Sequence, residues 1–259
     1  MIALPLRAYE RVNRIASDTE DLPVKLWIIP DYFQLVLHHA GLDDFVGIPM
    51  LDMRAPALTE NQRLVKRIFD VIIATLAFIP ALPIMGLIAL IVLIDDGPPV
   101  IFKQKRVGEN GRMFYFYKFR TMFKNAEQLQ SQVQHLDEQG HVVYKRPDDP
   151  RITRTGHFLR KFSLDEIPQL INILMGTMSW VGPRPELPEL VEKYQSWQRR
   201  RFAIPQGLTG WWQINGRSDK PMYLHTEEDL YYIQNYSIWL DIQILFKTVW
   251  IVIRGKGAY

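Results

Sequence analysis

The longest uncharged stretch of the chain runs from Val71 to Ile94 and constrains the fold more than any other feature. It contains 24 residues, nearly all apolar, and a run of that length is typical of a membrane helix. A buried core helix is the alternative, but such a helix seldom continues this far without a polar face. The run also begins too far from Met1, and lacks the small-residue cleavage site, for a cleaved signal peptide. The sequence therefore predicts a membrane anchor.

Basic residues flank this run on both sides, and such residues stay on the cytoplasmic side of a membrane. They are Arg63, Lys66 and Arg67 before the run and Lys103, Lys105 and Arg106 after it. Pro80 and Pro83 fall near the middle, where each removes a backbone donor and bends a helix. A straight span fits neither observation well. We predict a broken, re-entrant helical hairpin over residues 63–99 that enters one leaflet and returns.

The segments after the anchor predict a mainly helical α+β fold. Residues 100–106 and 113–120 are rich in aromatic and β-branched side chains and flank a glycine-containing connection at 108–111, which predicts a β-hairpin. Helical patterns cover about residues 125–139 and most of the chain from Asp165 onward. Residues 100–259 therefore form one expected domain beyond the anchor.

Charge is distributed unevenly along the chain. Residues 1–62 contain five basic residues against nine carboxylates, whereas residues 63–259 contain 26 basic and 19 acidic residues. The acidic part predicts a separate segment, and the basic part predicts an anionic partner such as nucleic acid, lipid headgroups or phosphorylated metabolites. The chain has no cysteine, which excludes disulfide scaffolds, thiolate metal sites and a cysteine nucleophile.

Two successive carboxylates, Asp165 and Glu166, carry the sharpest local signal. Ser163 precedes Glu166 by three positions in a capping-box pattern, which predicts that both carboxylates lie in or beside the first turn of a helix. Pro168 also allows a helix that begins with Asp165 as its N-cap. In either register the helix dipole favours the ionised carboxylates. A helix cap with no chemical role is the simplest interpretation of this pattern taken alone.

Basic and glycine-containing motifs near this pair favour a chemical role. Arg160 and Lys161 precede it, and the stretches 182–185 and 207–217 follow it, each with an arginine. A carboxylate can attack phosphorus only when a divalent metal and cationic side chains neutralise the negative charge of the phosphate. Carboxylate oxygens suit Mg²⁺, and no cysteine–histidine cluster competes for zinc. The sequence therefore predicts diphosphate chemistry that uses Mg²⁺.

Two other stretches have less specific interpretations. Residues 199–201 are three consecutive arginines, which predict a solvated helix face or contact with anionic lipid or phosphate. Residues 238–253 are rich in apolar and aromatic side chains. They predict a helix that packs on the core and also lies at the level of the lipid headgroups.

A series of short motifs in one order resembles the bacterial sugar transferases, the monotopic phosphoglycosyl transferases. Members move a sugar phosphate from a nucleotide diphosphosugar to polyprenyl phosphate. Besides the apolar run, the motifs are Lys66–Asp70, Gln104–Gly108, Tyr117–Met122, Leu164–Glu166, Val181–Pro185, Gly207–Trp211, Asn215–Arg217 and Leu240–Asp241. One departure from the family pattern is Leu82, which stands where many members have serine before the proline of the helix break.

The resemblance implies a role for each matched residue. Asp165 is implied to be the nucleophile that forms a covalent phosphosugar intermediate with loss of the nucleoside monophosphate, and Glu166 to be the principal protein ligand of Mg²⁺. Other positions that such enzymes need for activity are matched by Lys118, Arg160, Arg184 and Asp241. For Arg106 and Arg217, charge and motif position favour phosphate contact, and a surface or structural role is the alternative.

The resemblance also implies the setting. We expect a protein of the inner (cytoplasmic) membrane that contacts membrane lipids, with residues 100–259 as a catalytic domain facing the cytoplasm and no nucleic-acid partner. It would perform the first membrane step of exopolysaccharide, capsule or O-antigen synthesis. Large members suggest a homodimer, and residues 1–62 resemble the end of their regulatory α/β domain. The alternatives are a glycosyltransferase that releases UDP and a non-catalytic scaffold tethered to the membrane.

Overall fold

A computed structural model of the chain contains two compact units. It describes residues 9–19, 27–28, 41–45, 48–52, 57–124, 126, 135–136, 142–143, 149–216 and 226–254. The first unit comprises Met1–Ala57 with Gln195–Trp197, and the second comprises Leu58–Tyr194 with Gln198–Tyr259. In the first unit, the described elements are helix α1 (Tyr9–Asp18) and the strands β1 (Trp27–Ile28), β2 (Gly41–Phe45) and β3 (Ile48–Asp52). The strands form an antiparallel sheet with β3 in the middle.

The second unit begins with its longest helix, α2 (Glu60–Asp96), which contains the whole predicted anchor. Thr59 and Gln62 form a capping box at its start, and the N–H of Gly97 donates to the carbonyl of Leu93 at its end. Among the described residues, α2 is the one helix long and apolar enough to cross a membrane. Its apolar side chains face outward over much of its length, and the exposed ones include Leu76, Ile79, Leu87 and Ile94.

Pro80 and Pro83 lie inside α2, which continues as one helix past both of them. The sequence predicted two helical arms separated by a break, and the structure differs in this respect. A proline removes one backbone hydrogen bond and bends the axis, but its fixed φ is itself helical. Because the two prolines are less than one turn apart, the missing donors fall within a single turn and the helix persists on both sides.

The predicted β-hairpin is confirmed. Strand β4 (Ile101–Val107) pairs with strand β5 (Met113–Phe119) in antiparallel register, with Phe102 opposite Lys118. The connection contains a short 3₁₀ turn, Glu109–Gly111.

The remaining elements are mostly short helices, so the mainly helical α+β fold class is confirmed. The helices are α3 (Arg154–Lys161), α4 (Gln169–Met175), α5 (Pro188–Val191), α6 (Ser196–Arg199), α7 (Trp211–Gly216), α8 (Thr226–Gln234) and α9 (Ile238–Ile253). Strands β8 (Ser179–Val181) and β9 (Gly207–Thr209) pair in parallel. Most of the helix expected over residues 125–139 lies outside the described residues. His135–Leu136 within it forms a strand, β6, that pairs with β7 (Val142–Val143).

Two apolar clusters pack α2 against the elements that follow it. The first contains Ala74 of α2, Phe116 of β5 and Ile173 of α4. The second contains Ile88 of α2 and Phe119 of β5, together with buried residues of α2 and α3. Because Phe116 and Phe119 lie on opposite faces of β5, the strand is buried on both sides near its end. The anchor helix thus shares its core with the strand that carries Lys118.

Candidate active site

A tight turn between α3 and α4 carries the two successive carboxylates. Ser163 adopts a left-handed backbone conformation with φ 53°, and Leu164–Glu166 then forms a 3₁₀ turn before α4. Ser163 makes no side-chain capping bond, so the capping box predicted for Ser163 and Glu166 is wrong. An N-cap residue needs an extended backbone, which Thr59 has at the start of α2 and Ser163 lacks. The prediction that the carboxylates lie beside the first turn of a helix is confirmed.

Glu166 binds two cations from different parts of the chain. Its Oε1 accepts from Lys118 Nζ and from an Arg184 terminal nitrogen, each at 2.7 Å. Burial raises the pKa of Glu166, but the charges and hydrogen bonds of Arg184 and Lys118 outweigh this effect and hold the pKa well below its usual value. Glu166 therefore stays ionised at neutral pH, as predicted.

Asp165 is buried beside the same lysine. Its Oδ2 lies 3.6 Å from Lys118 Nζ, and the side chain is 9% exposed. Burial raises the pKa of Asp165, and the charge of Lys118 offsets only part of that rise. The two carboxylates thus differ in environment: Glu166 accepts direct hydrogen bonds from its cations, whereas the cations near Asp165 act on it through their charge. A carboxylate that is poorly solvated and weakly hydrogen-bonded is the better nucleophile of the two.

Arg160 lies at the end of α3 and is oriented by a neighbouring hydroxyl. Its Nε donates to Thr121 Oγ1 at 2.9 Å. Its charge also acts on Asp165, whose pKa it lowers. Helix α3 lies against the chain at Thr121, since a Cβ added at Gly156 would overlap the Thr121 carbonyl oxygen. Glycine at position 156 therefore lets Arg160 approach the carboxylate turn.

Asn172 fixes α4 against β5 and so sets the distance between the carboxylate turn and Lys118. Its side-chain oxygen accepts from the Tyr117 N–H at 3.2 Å, and its nitrogen donates to the Tyr115 carbonyl at 2.7 Å. The side chain of Asn172 thus binds backbone groups of β5 that a neighbouring strand could otherwise bind. Sequence reasoning missed this residue, because an asparagine inside a short helix gives no local signal.

The structure therefore brings together five of the eight predicted site residues, places Arg106 next to this group and places Asp241 in another cluster. Asp165, Glu166, Lys118, Arg160 and Arg184 form one group. Arg106 lies behind the loop that carries Arg184, where it donates to the Pro185 carbonyl at 3.3 Å. Burial lowers the pKa of Arg106 to about 10, which still leaves it charged at neutral pH.

Asp241 occupies a separate buried cluster. It accepts from Lys66 Nζ at 2.7 Å and from the Tyr232 hydroxyl at 2.6 Å. These contacts are those of a structural ion pair between α9 and α2, and a role of Asp241 in substrate binding or activity stays a prediction. Arg217 lies outside the described residues.

One of the three consecutive arginines, Arg201, differs from its predicted role. Arg201 is fully buried and pairs with Asp229 at 2.8 Å, so it is neither a solvated residue nor a lipid contact. Nothing in the local sequence distinguishes Arg201 from its two neighbours, because its counter-ion lies in α8, far along the chain.

Taken together, the fold and the site define a class of protein in which a carboxylate pair lies in a group of cations, next to a core that includes a long apolar helix. The chain belongs to the bacterial sugar transferase family, whose family model matches residues 61–255. This confirms the resemblance inferred from the motifs.

Three curated relatives illustrate the similarity. The chain is 42% identical over 221 residues to the galactosyl transferase CpsE of Streptococcus agalactiae serotype III, covering 84% of this chain and 48% of CpsE. It is 35% identical over 270 residues to the UDP-glucose:undecaprenyl-phosphate glucose-1-phosphate transferase of Escherichia coli K12, covering 100% and 55%. It is 40% identical over 198 residues to the exopolysaccharide production protein ExoY of Sinorhizobium fredii, covering 75% and 88%. The chain thus spans about half the length of the first two relatives.

Proposed function

We propose that the chain transfers a sugar 1-phosphate from a nucleotide diphosphosugar, such as a UDP-hexose, to undecaprenyl phosphate. The observation that carries this proposal is the grouping of Asp165 and Glu166 with Lys118, Arg160 and Arg184. The three cations outnumber the two carboxylates, so the group has a net positive charge, which favours an anionic diphosphate. The names of relatives that act on UDP-glucose and undecaprenyl phosphate support the same substrates.

The reaction that fits these groups has two steps. In the first, a carboxylate oxygen of Asp165 attacks the sugar-bearing phosphorus, the bond from that phosphorus to the bridging oxygen breaks, and UMP leaves with that oxygen. In the second, a phosphate oxygen of undecaprenyl phosphate attacks the same phosphorus and releases the Asp165 carboxylate. Arg160 and Arg184 would bind phosphate oxygens, and Lys118 would keep Asp165 ionised.

The carboxylate pair also fits a Mg²⁺ ion. Mg²⁺ is commonly held by one or two carboxylates, with substrate phosphates and water as its other ligands. Glu166 is ionised, and both of its cationic partners bind Oε1. The described residues contain no group of three or more histidine, cysteine or acidic side chains that could hold an ion by themselves, so substrate phosphates and water would supply the other ligands. Glu166 would be its main protein ligand, and the ion would neutralise the diphosphate charge.

The identity of the released nucleotide tests the proposal. Purified protein in detergent, given a UDP-hexose, undecaprenyl phosphate and Mg²⁺, is expected to release UMP. Without undecaprenyl phosphate, UMP is expected in an amount equal to the enzyme, and the intact protein should gain the mass of a phosphosugar on Asp165. Asp165→Asn should abolish both signals, whereas the exposed Glu189→Gln should retain them. Release of UDP would identify a glycosyltransferase instead, and no release from any nucleotide sugar would favour a scaffold.

Polar contacts at both ends of α2 support a re-entrant anchor at the cytoplasmic face of the inner membrane. Near its start, Lys66 binds Asp241, and at its end Asp96 pairs with Arg120 at 3.1 Å. Both partners belong to the same compact unit. A straight helix of 37 residues would be about 55 Å long, against about 30 Å for the hydrocarbon core. A straight span would place these contacts on opposite sides of the bilayer.

Single cysteines test this topology directly, because the chain has none of its own. Asn61→Cys and Asp95→Cys place exposed thiols at the two ends of α2, and Leu82→Cys places one near its middle. We expect an impermeant maleimide to label both end positions only from the cytoplasmic face and to leave the middle position unlabelled. Labelling of the two ends from opposite faces would refute the re-entrant topology.

A further inference from the structure

A cluster of buried charges lies behind the loop that carries Arg184. Arg201 is fully buried, and one of its terminal nitrogens donates to the main-chain carbonyl of Arg184 at 3.0 Å and pairs with Asp229 at 2.8 Å. The other terminal nitrogen donates to the hydroxyl of Tyr194 at 2.8 Å. Arg201, Tyr194 and Asp229 have no role in the chemistry proposed above, although Arg201 contacts the main chain of Arg184, which has one.

Glu186 completes the cluster. It is buried, accepts from the Tyr194 hydroxyl at 3.2 Å, and lies 3.7 Å from Arg201 and 3.6 Å from Arg106. Two arginines are therefore balanced by two carboxylates, Glu186 and Asp229. The charges of this cluster are thus balanced within the protein.

The arginines of this cluster bind two consecutive main-chain carbonyls of the loop. The Arg184 carbonyl accepts from Arg201, and the Pro185 carbonyl accepts from Arg106. Prolines at 183 and 185 fix the backbone on either side of Arg184. The Arg184 main chain is thus bound from behind, while its guanidinium reaches forward to Glu166.

Only an arginine can make the contacts seen at position 201. A guanidinium presents five donors in one plane and reaches the Arg184 carbonyl, the Tyr194 hydroxyl and Asp229 together. A lysine would keep the charge beside Asp229 but has one nitrogen on a flexible stem. Arg201→Lys therefore keeps the positive charge at this site but not the set of hydrogen bonds that the guanidinium makes.

We propose that Arg201, with Asp229 as its counter-ion, is a positioning residue that fixes the main chain of Arg184 and thereby the distance between the Arg184 guanidinium and Glu166. This inference rests on the transferase function proposed above, because its effect is measured at the carboxylate pair. Arg201 contacts neither Asp165 nor Glu166 among the described interactions, so it acts through Arg184.

A double-mutant cycle on UMP release tests this inference. Arg201→Lys should lower kcat by about 10- to 100-fold, since a displacement of about 1 Å at a catalytic contact has effects of that size. In an Arg184→Ala background, the same change should lower kcat by less than about twofold, because the group that it positions is absent. A purely structural role predicts the same fold-change in both backgrounds, and that result would overturn the inference.

Two further variants keep the test decisive. Tyr194→Phe removes the other hydrogen bond of Arg201 but leaves its bond to Arg184, so kcat should change by less than about threefold. An effect as large as that of Arg201→Lys would overturn the inference. If Arg201→Lys does not fold, as judged by its thermal unfolding midpoint, Asp229→Asn takes its place in the cycle with the same expectations. Absence of UMP release from the unmodified protein would refute the proposed function, and the inference with it; UMP release with additive effects would refute the inference alone.

Discussion

Replacing Lys66 by methionine removes the charge that neutralises Asp241 while keeping most of the side-chain volume. Lys66 Nζ lies 2.7 Å from Asp241 Oδ2, and the two side chains are 2% and 0% exposed. Breaking a buried pair by removal of one partner costs about 3–5 kcal/mol, because it leaves an uncompensated buried charge. For a chain of this size each kcal/mol lowers the unfolding midpoint by about 2–4 °C, so we expect a fall of about 6–20 °C.

Removal of the second charge should restore part of this loss. In the double variant Lys66→Met, Asp241→Asn the charge of Asp241 is removed together with that of Lys66, and the asparagine oxygen can still accept from the Tyr232 hydroxyl, which lies 2.6 Å from Asp241 Oδ1 in the unmodified protein. We expect the double variant to be at least about 2 kcal/mol more stable than the sum of the two single losses predicts.

The assay is the unfolding midpoint in one detergent at one scan rate, combined with UMP release at a temperature where every variant is folded. If Asp241 only holds α9 against α2, activity returns together with stability in the double variant. If Asp241 contacts substrate, as the family resemblance implies, the double variant is stable but inactive. Stability losses that simply add would refute the coupling between Lys66 and Asp241.

Two other predictions concern the group of cations around the carboxylates. Gly156→Ala should destabilise the protein by about 1–3 kcal/mol and lower activity, because its Cβ would overlap the Thr121 carbonyl oxygen; Gly86→Ala, which meets nothing within 4 Å, should leave both nearly unchanged in the same unfolding and UMP assays. Arg184→Ala should raise the pKa of Glu166 by removing the largest charge that lowers it, so the fall of kcat/KM on the acid side moves to higher pH. Ionised Glu166 also stabilises the fold at pH values above its unfolded-state pKa, and this stabilisation is lost as the pH falls through its folded-state pKa. It should be smaller in Arg184→Ala. An unchanged acid side of the kcat/KM profile in this variant would contradict the prediction.

The elements predicted correctly from the sequence are those set by local pattern. An uncharged run such as Val71–Ile94 has few ways to satisfy its backbone hydrogen bonds other than a helix. The aromatic and β-branched stretches on either side of residues 108–111 have few ways to pair other than as a hairpin. The turn at Ser163 was not predictable in the same way. Ser163 adopts a left-handed conformation between α3 and α4, whereas its residue pattern suits an ordinary N-cap equally well.

The partners of the buried arginines were also not predictable from the sequence. Charge identifies Arg106, Arg184 and Arg201 alike as basic residues, yet of these three only Arg184 donates a hydrogen bond to the carboxylate pair. Arg106 and Arg201 bind main-chain carbonyls and the buried Glu186 instead. What separates them is the position of a counter-ion, and the partner of Arg201 is Asp229 in a helix distant in sequence. A sequence shows that a charge is present, whereas its partner depends on the fold.

Strand β5 packs on α2 and also carries Lys118, which contacts the carboxylate pair. Phe116 packs with α2 in one cluster, and Lys118 follows on the same face of the strand, with its Nζ 5.4 Å from the Phe116 ring centre and 2.7 Å from Glu166. A change in the packing of α2 therefore shifts Lys118, and with it the charge that lowers the pKa of the buried Asp165. Deletion of α2 would expose Phe116 and Ile173, two buried apolar residues of the core. The helix that the sequence predicts as an anchor is accordingly also part of the core against which the strand of Lys118 packs.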